Sequence, residues 1–331
     1  MSRRPREGIT DDPHAGFERA GRSSRPRTKE RPTYAEAVDG VVISVDRGRF
    51  RCHLAGLDAV VSAIKARSLP RGSVIVGDQV RLVGDTSGTD GTLARIVEVA
   101  ERATVLRRTA DDDDPYERPI VANADQLAIV AALADPPPRV GMIDRILVAA
   151  YDAGLEPLLV LTKADLAAPD GLMATYRPLG VGVVAVEPGT DLTELRSALA
   201  DHTTVLVGHS GVGKSTLVNA LIPGVDRAIG EVNEVTGRGR HTSTSAIALP
   251  LPDGAGWVID TPGIRSFGLS HVTPDSFVAA FPDLAELVED CPRGCRHDST
   301  SPECALDAAV VDGRLTRERL ESFRRMEGAF G

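Results

Sequence analysis

Hydrophobic residues in the first third of the chain come in short runs that glycine and aspartate separate. The runs are Gly40–Val45, Arg49–Leu54, Ala59–Ser62, Asp78–Val83 and Gly91–Val99. Five short strand-type runs within about 70 residues are typical of a small closed barrel, and the OB-fold is one such barrel. We therefore predict an all-β OB-fold barrel over residues 36–108, with Cys52 in its core.

Between residues 120 and 267 strand-type runs alternate with helical ones. The strand-type runs are Gln126–Leu133, Pro157–Leu161, Gly182–Val186, Thr203–Val207 and Trp257–Ile259. The helical runs are Gly141–Ala153, Leu192–Leu199 and Ser215–Leu221. This alternation predicts a central α/β domain with a doubly wound, largely parallel sheet. The acidic stretch Asp111–Asp114, followed by Pro115, indicates a linker over residues 109–119.

The two ends of the chain differ from this body. Residues 1–35 are rich in Arg, Ser, Pro and Gly. They predict a disordered basic tail, because they cannot bury enough apolar surface to offset the entropy of ordering. Residues 268–331 are mainly helical in pattern and end in the basic amphipathic segment Leu315–Met326. We expect a C-terminal helical domain there.

Composition places the chain among water-soluble proteins. It is 42% hydrophobic and 26% charged, and no apolar run approaches the roughly 20 residues that cross a bilayer. The N-terminus has no apolar segment of the kind found in secretory signals. These features predict a cytoplasmic location without a membrane partner. The lack of a coiled-coil pattern or a large apolar stripe predicts a monomer.

Charge is unevenly distributed along the chain. Residues 1–108 hold 20 Lys/Arg and 14 Asp/Glu, a net of +6, while the other 18 basic and 33 acidic residues give −15. A basic front suggests contact with a polyanion such as RNA. Basic residues of the predicted barrel that could form one such face are Arg47, Arg49, Arg51, Lys65, Arg67 and Arg71. The alternative is a purely structural barrel with solvated arginines.

A glycine-rich segment lies between the run Thr203–Val207 and the helical run that follows it. Its residues are Gly208, His209, Ser210, Gly211, Val212, Gly213, Lys214, Ser215 and Thr216. The pattern G-x-x-x-x-G-K-S in this context predicts a phosphate-binding loop, in which backbone N–H groups at a helix N-terminus contact the phosphates. Lys214 is expected to reach the β- and γ-phosphates and Ser215 to bind Mg²⁺.

Two further motifs follow strand-type runs. Asp260-Thr-Pro-Gly263 predicts a Mg²⁺-binding aspartate and a glycine N–H that contacts the γ-phosphate. Thr162-Lys163-Ala-Asp165 predicts a guanine site. Asp165 would accept hydrogen bonds from the guanine N1–H and amino group, a donor pair that adenine lacks. Lys163 would pack over the base or ribose. Thr162 stands where many GTPases have asparagine, so the support on that side of the base is expected to be weaker.

The order of these motifs is unusual, because the guanine motif precedes the phosphate-binding loop. The same sheet can be built if the chain is cut between the γ-phosphate motif and the guanine motif and the old ends are joined. The segment after Gly263 then leads directly into the C-terminal domain. We infer from this order that nucleotide state is transmitted as movement of that domain.

The segment Gly237–Thr244, with the sequence GRGRHTST, has the position of a first switch loop. Thr242 and Thr244 are both candidates to complete the Mg²⁺ shell. Ile264 occupies the position where Ras-like enzymes carry a water-positioning glutamine, and it cannot orient water. The intrinsic rate is therefore expected to be slow, and His241 is the candidate catalytic residue, as a base or a water-orienting group.

Near the C-terminus, three of the four cysteines lie within fourteen residues together with a histidine. The four are Cys291, Cys295, His297 and Cys304. Three thiolates and one imidazole form a complete tetrahedral set for a structural Zn²⁺. Three free thiols beside a surface histidine are the alternative.

The order TKAD, GHSGVGKST, GRGRHTST, DTPG and then a Cys/Cys/His/Cys cluster resembles the ribosome small subunit-dependent GTPase A family over residues 36–328. The resemblance implies an OB-fold, a circularly permuted GTPase domain and a zinc domain, with GTP/GDP, Mg²⁺ and Zn²⁺ as ligands. It further implies GTP hydrolysis that the small ribosomal subunit stimulates during its late maturation, contacts to rRNA, and His241 as the catalytic histidine.

Two other functions compete with this hypothesis. One is a GTP-gated RNA-binding scaffold with incidental hydrolysis, which Ile264 favours. The other is a P-loop ATPase with a metal-handling module, which Asp165 disfavours.

Overall fold

The computed structural model describes residues 34–57, 59–108, 118–224, 246–261, 274–279 and 281–328. The first five strands are β1 (Val38–Asp46), β2 (Arg49–Leu54), β3 (Val60–Lys65), β4 (Gln79–Gly84) and β5 (Ala94–Val99). Strand β1 pairs with both β2 and β4, β2 pairs with β3, and β5 joins β3 to β4, so these five strands close into a barrel. This confirms the predicted OB-like barrel.

Side chains on β2 show which face of the barrel strands forms the core. Phe50, Cys52 and Leu54 are buried and alternate with Arg49 and Arg51, which therefore lie on the outer face. Cys52 is fully buried as expected, and burial raises the pKa of its thiol to about 12. Strand β3 is longer than its predicted run because its pairing with β2 and β5 extends to Lys65.

The central domain contains six strands in one sheet. They are β8 (Gln126–Ala132), β9 (Glu156–Thr162), β10 (Gly182–Ala185), β11 (His202–Val207), β12 (Ile247–Pro250) and β13 (Gly256–Asp260). Their order is β10-β9-β8-β11-β13-β12, and every neighbouring pair is parallel except β12 with β13. All seven residues of β8 are buried, as expected for a strand covered on both faces.

Helices cover this sheet, which separates two apolar cores. They are α1 (Val140–Asp152), α2 (Asp170–Tyr176), α3 (Thr193–Leu199) and α4 (Lys214–Leu221). Leu159 and Leu161 face one core, while Leu158 and Val160 face the other. The alternation of these residues on β9 confirms the doubly wound α/β architecture.

Several short elements were not predicted from the sequence. They are β6 (Val105–Arg108), β7 (Arg118–Ala122), β12 and α2. The strands β6 and β7 pair with each other on either side of the acidic stretch, and β12 pairs with both β13 and β1. Their local patterns are too short to show a period, so their structure depends on these partners.

The pairing of β12 with β1 joins the barrel to the central sheet. Ser44 of β1 lies opposite Ile247 of β12. Close by, the rings of His53 on β2 and Trp257 on β13 meet edge to face, with centroids 5.2 Å apart. A single eleven-stranded sheet therefore runs through both regions.

The C-terminal region is helical, as predicted. Its helices are α5 (Pro274–Ala279), α6 (Pro282–Val288), α7 (Ala305–Val311) and α8 (Arg317–Glu327). Phe277, Phe281 and Phe323 pack with Tyr151 of α1 in a shared aromatic cluster. No helix among the described residues combines the length and apolar character that crossing a membrane requires.

Candidate nucleotide and metal sites

The phosphate-binding loop connects β11 to α4 at the carboxyl edge of the parallel strands. A side chain at Gly208 would place its Cβ 2.6 Å from the carbonyl oxygen of Val130, so only glycine fits there. Gly211 and Gly213 have φ angles of 87° and 89°, in the left-handed region that favours glycine. These three glycines therefore allow the backbone of the loop to take its wrapped shape.

Lys214 lies at the first position of α4 and points toward the end of β13. Its Nζ donates to Asp260 Oδ1 at 2.6 Å and to the Thr261 carbonyl at 2.9 Å. The side chains of Lys214 and Asp260 are only 12% and 23% exposed. Because β11 and β13 are parallel neighbours, their carboxyl ends bring the two motifs together.

The remaining loop residues lie around this pair. Ser215 and Thr216 are exposed in the first turn of α4, and Val212 is buried beneath the loop. The ring of His209 contacts the neighbouring Ser210 carbonyl through Nδ1 at 2.9 Å. The hydroxyl of Ser215 and the carboxylate of Asp260 are hard oxygen donors, which suit Mg²⁺.

Thr162 links the predicted guanine motif directly to the phosphate-binding loop. It is buried, and its hydroxyl donates to the Val212 carbonyl at 2.6 Å. The Ala131 carbonyl is 3.3 Å from the same oxygen. Since a hydroxyl has one proton, the shorter contact defines the bond. Thr162 therefore supports the loop from within, at the position where many GTPases have asparagine.

A cavity of about 410 Å³ lies between these two motifs. Thr162 and Lys163 line one side of it, and Gly213 and Thr216 line the other. Lys163 has a left-handed backbone, and its Nζ donates to the Asp135 carbonyl. Asp165 is exposed two residues further along. The structure thus brings Thr162 and Lys163 of the predicted guanine motif to one cavity with Gly213 and Thr216 of the predicted phosphate-binding loop, despite the reversed order of the motifs in the chain.

Residues 186–192 and Arg196 also line the cavity and were not predicted as site residues. The loop leaves the carboxyl end of β10, next to β9, and the Ala164 N–H donates to the Val186 carbonyl at 3.2 Å. Its position after a strand of the parallel sheet was the one signal in the sequence that could have identified it.

Some predicted residues lie outside the described part of the chain. They are His241, Thr242, Thr244 and Gly263. Ile264 and the rest of the predicted first switch loop, Gly237–Thr244, lie outside it as well.

The four predicted metal ligands form one cluster. The ligand atoms of Cys291, Cys295, His297 and Cys304 all lie within 4.8 Å of one another. His297 Nδ1 is 3.5 Å from Cys291 Sγ and 4.0 Å from Cys304 Sγ. Tetrahedral zinc with ordinary bond lengths separates a sulfur and a nitrogen ligand by about 3.6 Å. The donor types fit Zn²⁺, and the two sulfur–nitrogen separations lie close to the tetrahedral value.

Helix α8 supports this cluster from outside. Arg324 Nε donates to the His297 carbonyl at 2.9 Å, and its Nη atoms donate to both carboxylate oxygens of Asp307 at 2.9 and 2.7 Å. The guanidinium of Arg324 lowers the pKa of Asp307. His297 has a left-handed φ of 60°, so its backbone is held in an unusual conformation for a side-chain-bearing residue. Nothing in the sequence pattern indicated this support, because it depends on how α8 packs.

Comparison with known proteins agrees with this architecture. A family model described as RsgA GTPase matches residues 99–270. A small ribosomal subunit biogenesis GTPase RsgA from Pseudomonas aeruginosa (strain LESB58) is 40% identical over 294 residues, which cover 86% of this chain and 80% of that protein. The protein of the same name from Ectopseudomonas mendocina is 41% identical over 286 residues, covering 84% and 77% of the two chains.

Solved structures show the same fold. The crystal structure of YjeQ from Thermotoga maritima superposes with a TM-score of 0.66 at 25% identity, covering 89% of this chain and 98% of that one. The structure of YloQ, described as a circularly permuted GTPase, gives 0.65 at 24% identity over 91% and 97% of the chains. With the sequence relatives and the matched family model, the conclusion is that this chain is a GTPase and belongs to the RsgA GTPase family.

Proposed function

We propose that this chain hydrolyses GTP under stimulation by the small ribosomal subunit and acts in late maturation of that subunit through contacts with rRNA. The observation that carries the proposal is the shared cavity. One side of it belongs to the guanine motif and the other to the phosphate-binding loop, beside the Lys214–Asp260 pair. The relatives' name, small ribosomal subunit biogenesis GTPase, supports the choice of partner.

Within this proposal, the residues divide between base and phosphates. Asp165 selects guanine, Lys163 packs over the base or ribose, and the loop of residues 208–216 wraps the phosphates. Lys214 leaves its contact with Asp260 to pair with phosphate oxygens. The two pairings compete for one ammonium, so GTP binding frees the Asp260 carboxylate.

Magnesium would be held by Ser215 and Asp260, with Thr242 or Thr244 completing its shell. When bound, the ion neutralises charge on the β- and γ-phosphates. The Gly263 N–H would contact the γ-phosphate, and His241 would act as the base or the water-orienting group. The zinc ion would be structural, because three thiolates and an imidazole leave no open coordination position.

The barrel supports the assignment of RNA as the partner. Arg49 and Arg51 lie on its outer face, and residues 1–108 carry a net charge of +6, whereas the whole chain carries −9. Basic outer faces attract the phosphate backbone of nucleic acids. We place the protein in the cytoplasm as a monomer that associates with the subunit.

The test is GTP turnover by the full chain, with and without purified small ribosomal subunits and with ATP as the control nucleotide. Strong stimulation of GTP turnover, with none for ATP, is the expected result. Unchanged turnover in the presence of bound subunits would overturn the proposal. The chain would then be better described as a GTP-gated RNA-binding scaffold, an alternative that Ile264 favours.

A further inference from the structure

We propose that Arg196, on α3, is a positioning residue that fixes the phosphate side of the nucleotide cavity relative to its base side. The inference rests on the proposed function, since it takes this cavity to be the GTP site. Arg196 is half-buried and lines the cavity.

The side chain of Arg196 closes the C-terminal end of α4, the helix whose N-terminus follows the phosphate-binding loop. Its Nη1 donates to the Leu221 carbonyl and its Nη2 to the Ala220 carbonyl, both at 2.9 Å. The last carbonyls of a helix have no partner within the helix, and a positive charge there is favourable. Helix α4 has no basic residue in its own last turn. A residue from α3 therefore supplies the charge that α4 lacks.

Through the first turn of α3, the backbone of Arg196 connects to residues 186–192, which are called here the base-side loop. Its N–H donates to the Leu192 carbonyl at 2.7 Å, at the end of the cavity-lining residues 186–192. The start of α3 is anchored there too, because Asp191 Oδ1 accepts from the Thr193 N–H at 3.0 Å and from its hydroxyl at 2.7 Å. Arg196 thus contacts α4 through its side chain and the base-side loop through its backbone.

The permuted chain order makes this connection more direct. Helix α3 leads through Ala200 and Asp201 into β11, the strand that precedes the phosphate-binding loop. The segment from α3 to α4 is continuous, and the side chain of Arg196 joins the two helices at its ends. Without the guanidinium, α4 can shift away from α3, and the two walls of the cavity lose their fixed spacing.

The expected consequence is weaker binding of GTP and GDP alike. Both ligands use the base and the first two phosphates, and Arg196 is proposed to act on the spacing of the cavity walls and not on the γ-phosphate. For Arg196→Gln we expect both dissociation constants to rise by roughly three- to tenfold, the range that a lost charge at a helix end implies. The value of KM should rise with them, and kcat at saturating GTP should stay the same.

The experiment compares wild type, Arg196→Gln, Arg196→Lys and Arg314→Gln by titration with fluorescent GDP and GTP and by steady-state turnover. Arg314→Gln removes the same charge at an exposed position, where the arginine lies 3.6 Å from Asp312. It should bind like wild type. Arg196→Lys should fall between wild type and Arg196→Gln, because an ammonium keeps the charge but cannot match the two-carbonyl geometry.

Dissociation constants of Arg196→Gln within twofold of wild type would overturn the proposal, as would a loss in kcat at unchanged KM. If Arg196→Gln fails to fold, Arg196→Lys decides by the same criteria. Failure of the wild-type chain to bind guanine nucleotides would instead refute the proposed function.

Discussion

The nucleotide cavity and the cysteine–histidine cluster are built in different ways. The cavity is formed by backbone geometry at strand ends, with three glycines and a buried threonine keeping the loop in place. The cluster is formed by four side chains between α6 and α7, with α8 supporting it through Arg324. The shape of the first site therefore comes from the sheet. The second site depends on four side chains that meet between two helices.

This difference predicts that the two sites can be damaged separately. Burial raises the pKa of the Cys291 thiol to about 11, so a thiolate there is unfavourable until a cation accompanies it. The loop around Lys214 already has an internal charge partner in Asp260. Losing the metal should therefore affect the C-terminal helices first, and losing a loop side chain should affect only the nucleotide.

The largest expected effect is that of Lys214→Ala on hydrolysis. The change removes the ammonium that reaches the phosphates and leaves the Asp260 carboxylate without its partner. Loss of a preorganised contact to developing charge costs on the order of 100-fold or more in rate. Single-turnover GTP hydrolysis measures this loss. Zinc content by elemental analysis should remain at the wild-type value, and a fall in both quantities together would contradict the independence of the two sites.

A smaller effect is expected for Arg324→Gln, this time on zinc. The variant loses the bond to the His297 carbonyl, and loss of such an outer partner typically weakens metal affinity by about 10- to 100-fold. Competition with a chromophoric chelator measures the affinity. GDP binding should not change.

The neighbouring Arg325 provides the matched control for this measurement. It pairs with Asp144 of α1, a carboxylate that is 2% exposed, at 3.0 and 3.3 Å. Arg325→Gln should lower the free energy of unfolding by about 1–3 kcal/mol, allowing for the partial exposure of the arginine, and should leave zinc affinity unchanged. Equal zinc loss in both variants would show that Arg324 acts only through general stability.

The smallest effect is expected for Thr162→Val. Valine keeps the branched shape but cannot donate to the Val212 carbonyl, a loss of about 1 kcal/mol. Dissociation constants for GDP and GTP should rise two- to fivefold by that estimate, since the bond is worth most when the loop wraps phosphates. Calorimetric titration measures both values. Tighter binding than wild type would mean that Thr162 holds the loop in an unproductive shape.

Much of this site could be predicted from the sequence, because its motifs are local. The phosphate-binding loop, the two aspartate motifs and the cysteine–histidine set each occupy one short segment, and strand-type runs identify their places at the sheet edge. Residues 186–192, Arg196 and Arg324 could not be identified in this way. Their roles depend on which helices and strands become neighbours, and a single arginine on an amphipathic helix looks the same whether it is solvated or holds a carbonyl.

The barrel also shows that features which depend on neighbouring elements could not be predicted from the sequence. Its five strands were recognisable from short hydrophobic runs separated by glycine and aspartate, but its connection to the central sheet was not. That connection depends on β12, whose four residues end in Pro250 and form a strand only because β1 and β13 flank them.

We infer that a reversed order of motifs still assembles one guanine-nucleotide site. The affinities of wild type and Asp165→Asn for GTP and xanthosine triphosphate test this inference. Asparagine can donate to the xanthine 2-oxygen while its carbonyl oxygen accepts from N1–H, but it cannot use both side-chain atoms to accept from guanine N1–H and the guanine amino group as aspartate does. We predict that wild type prefers GTP and that Asp165→Asn prefers xanthosine triphosphate. An unchanged preference for GTP in the variant would contradict the account, because guanine would then be recognised elsewhere.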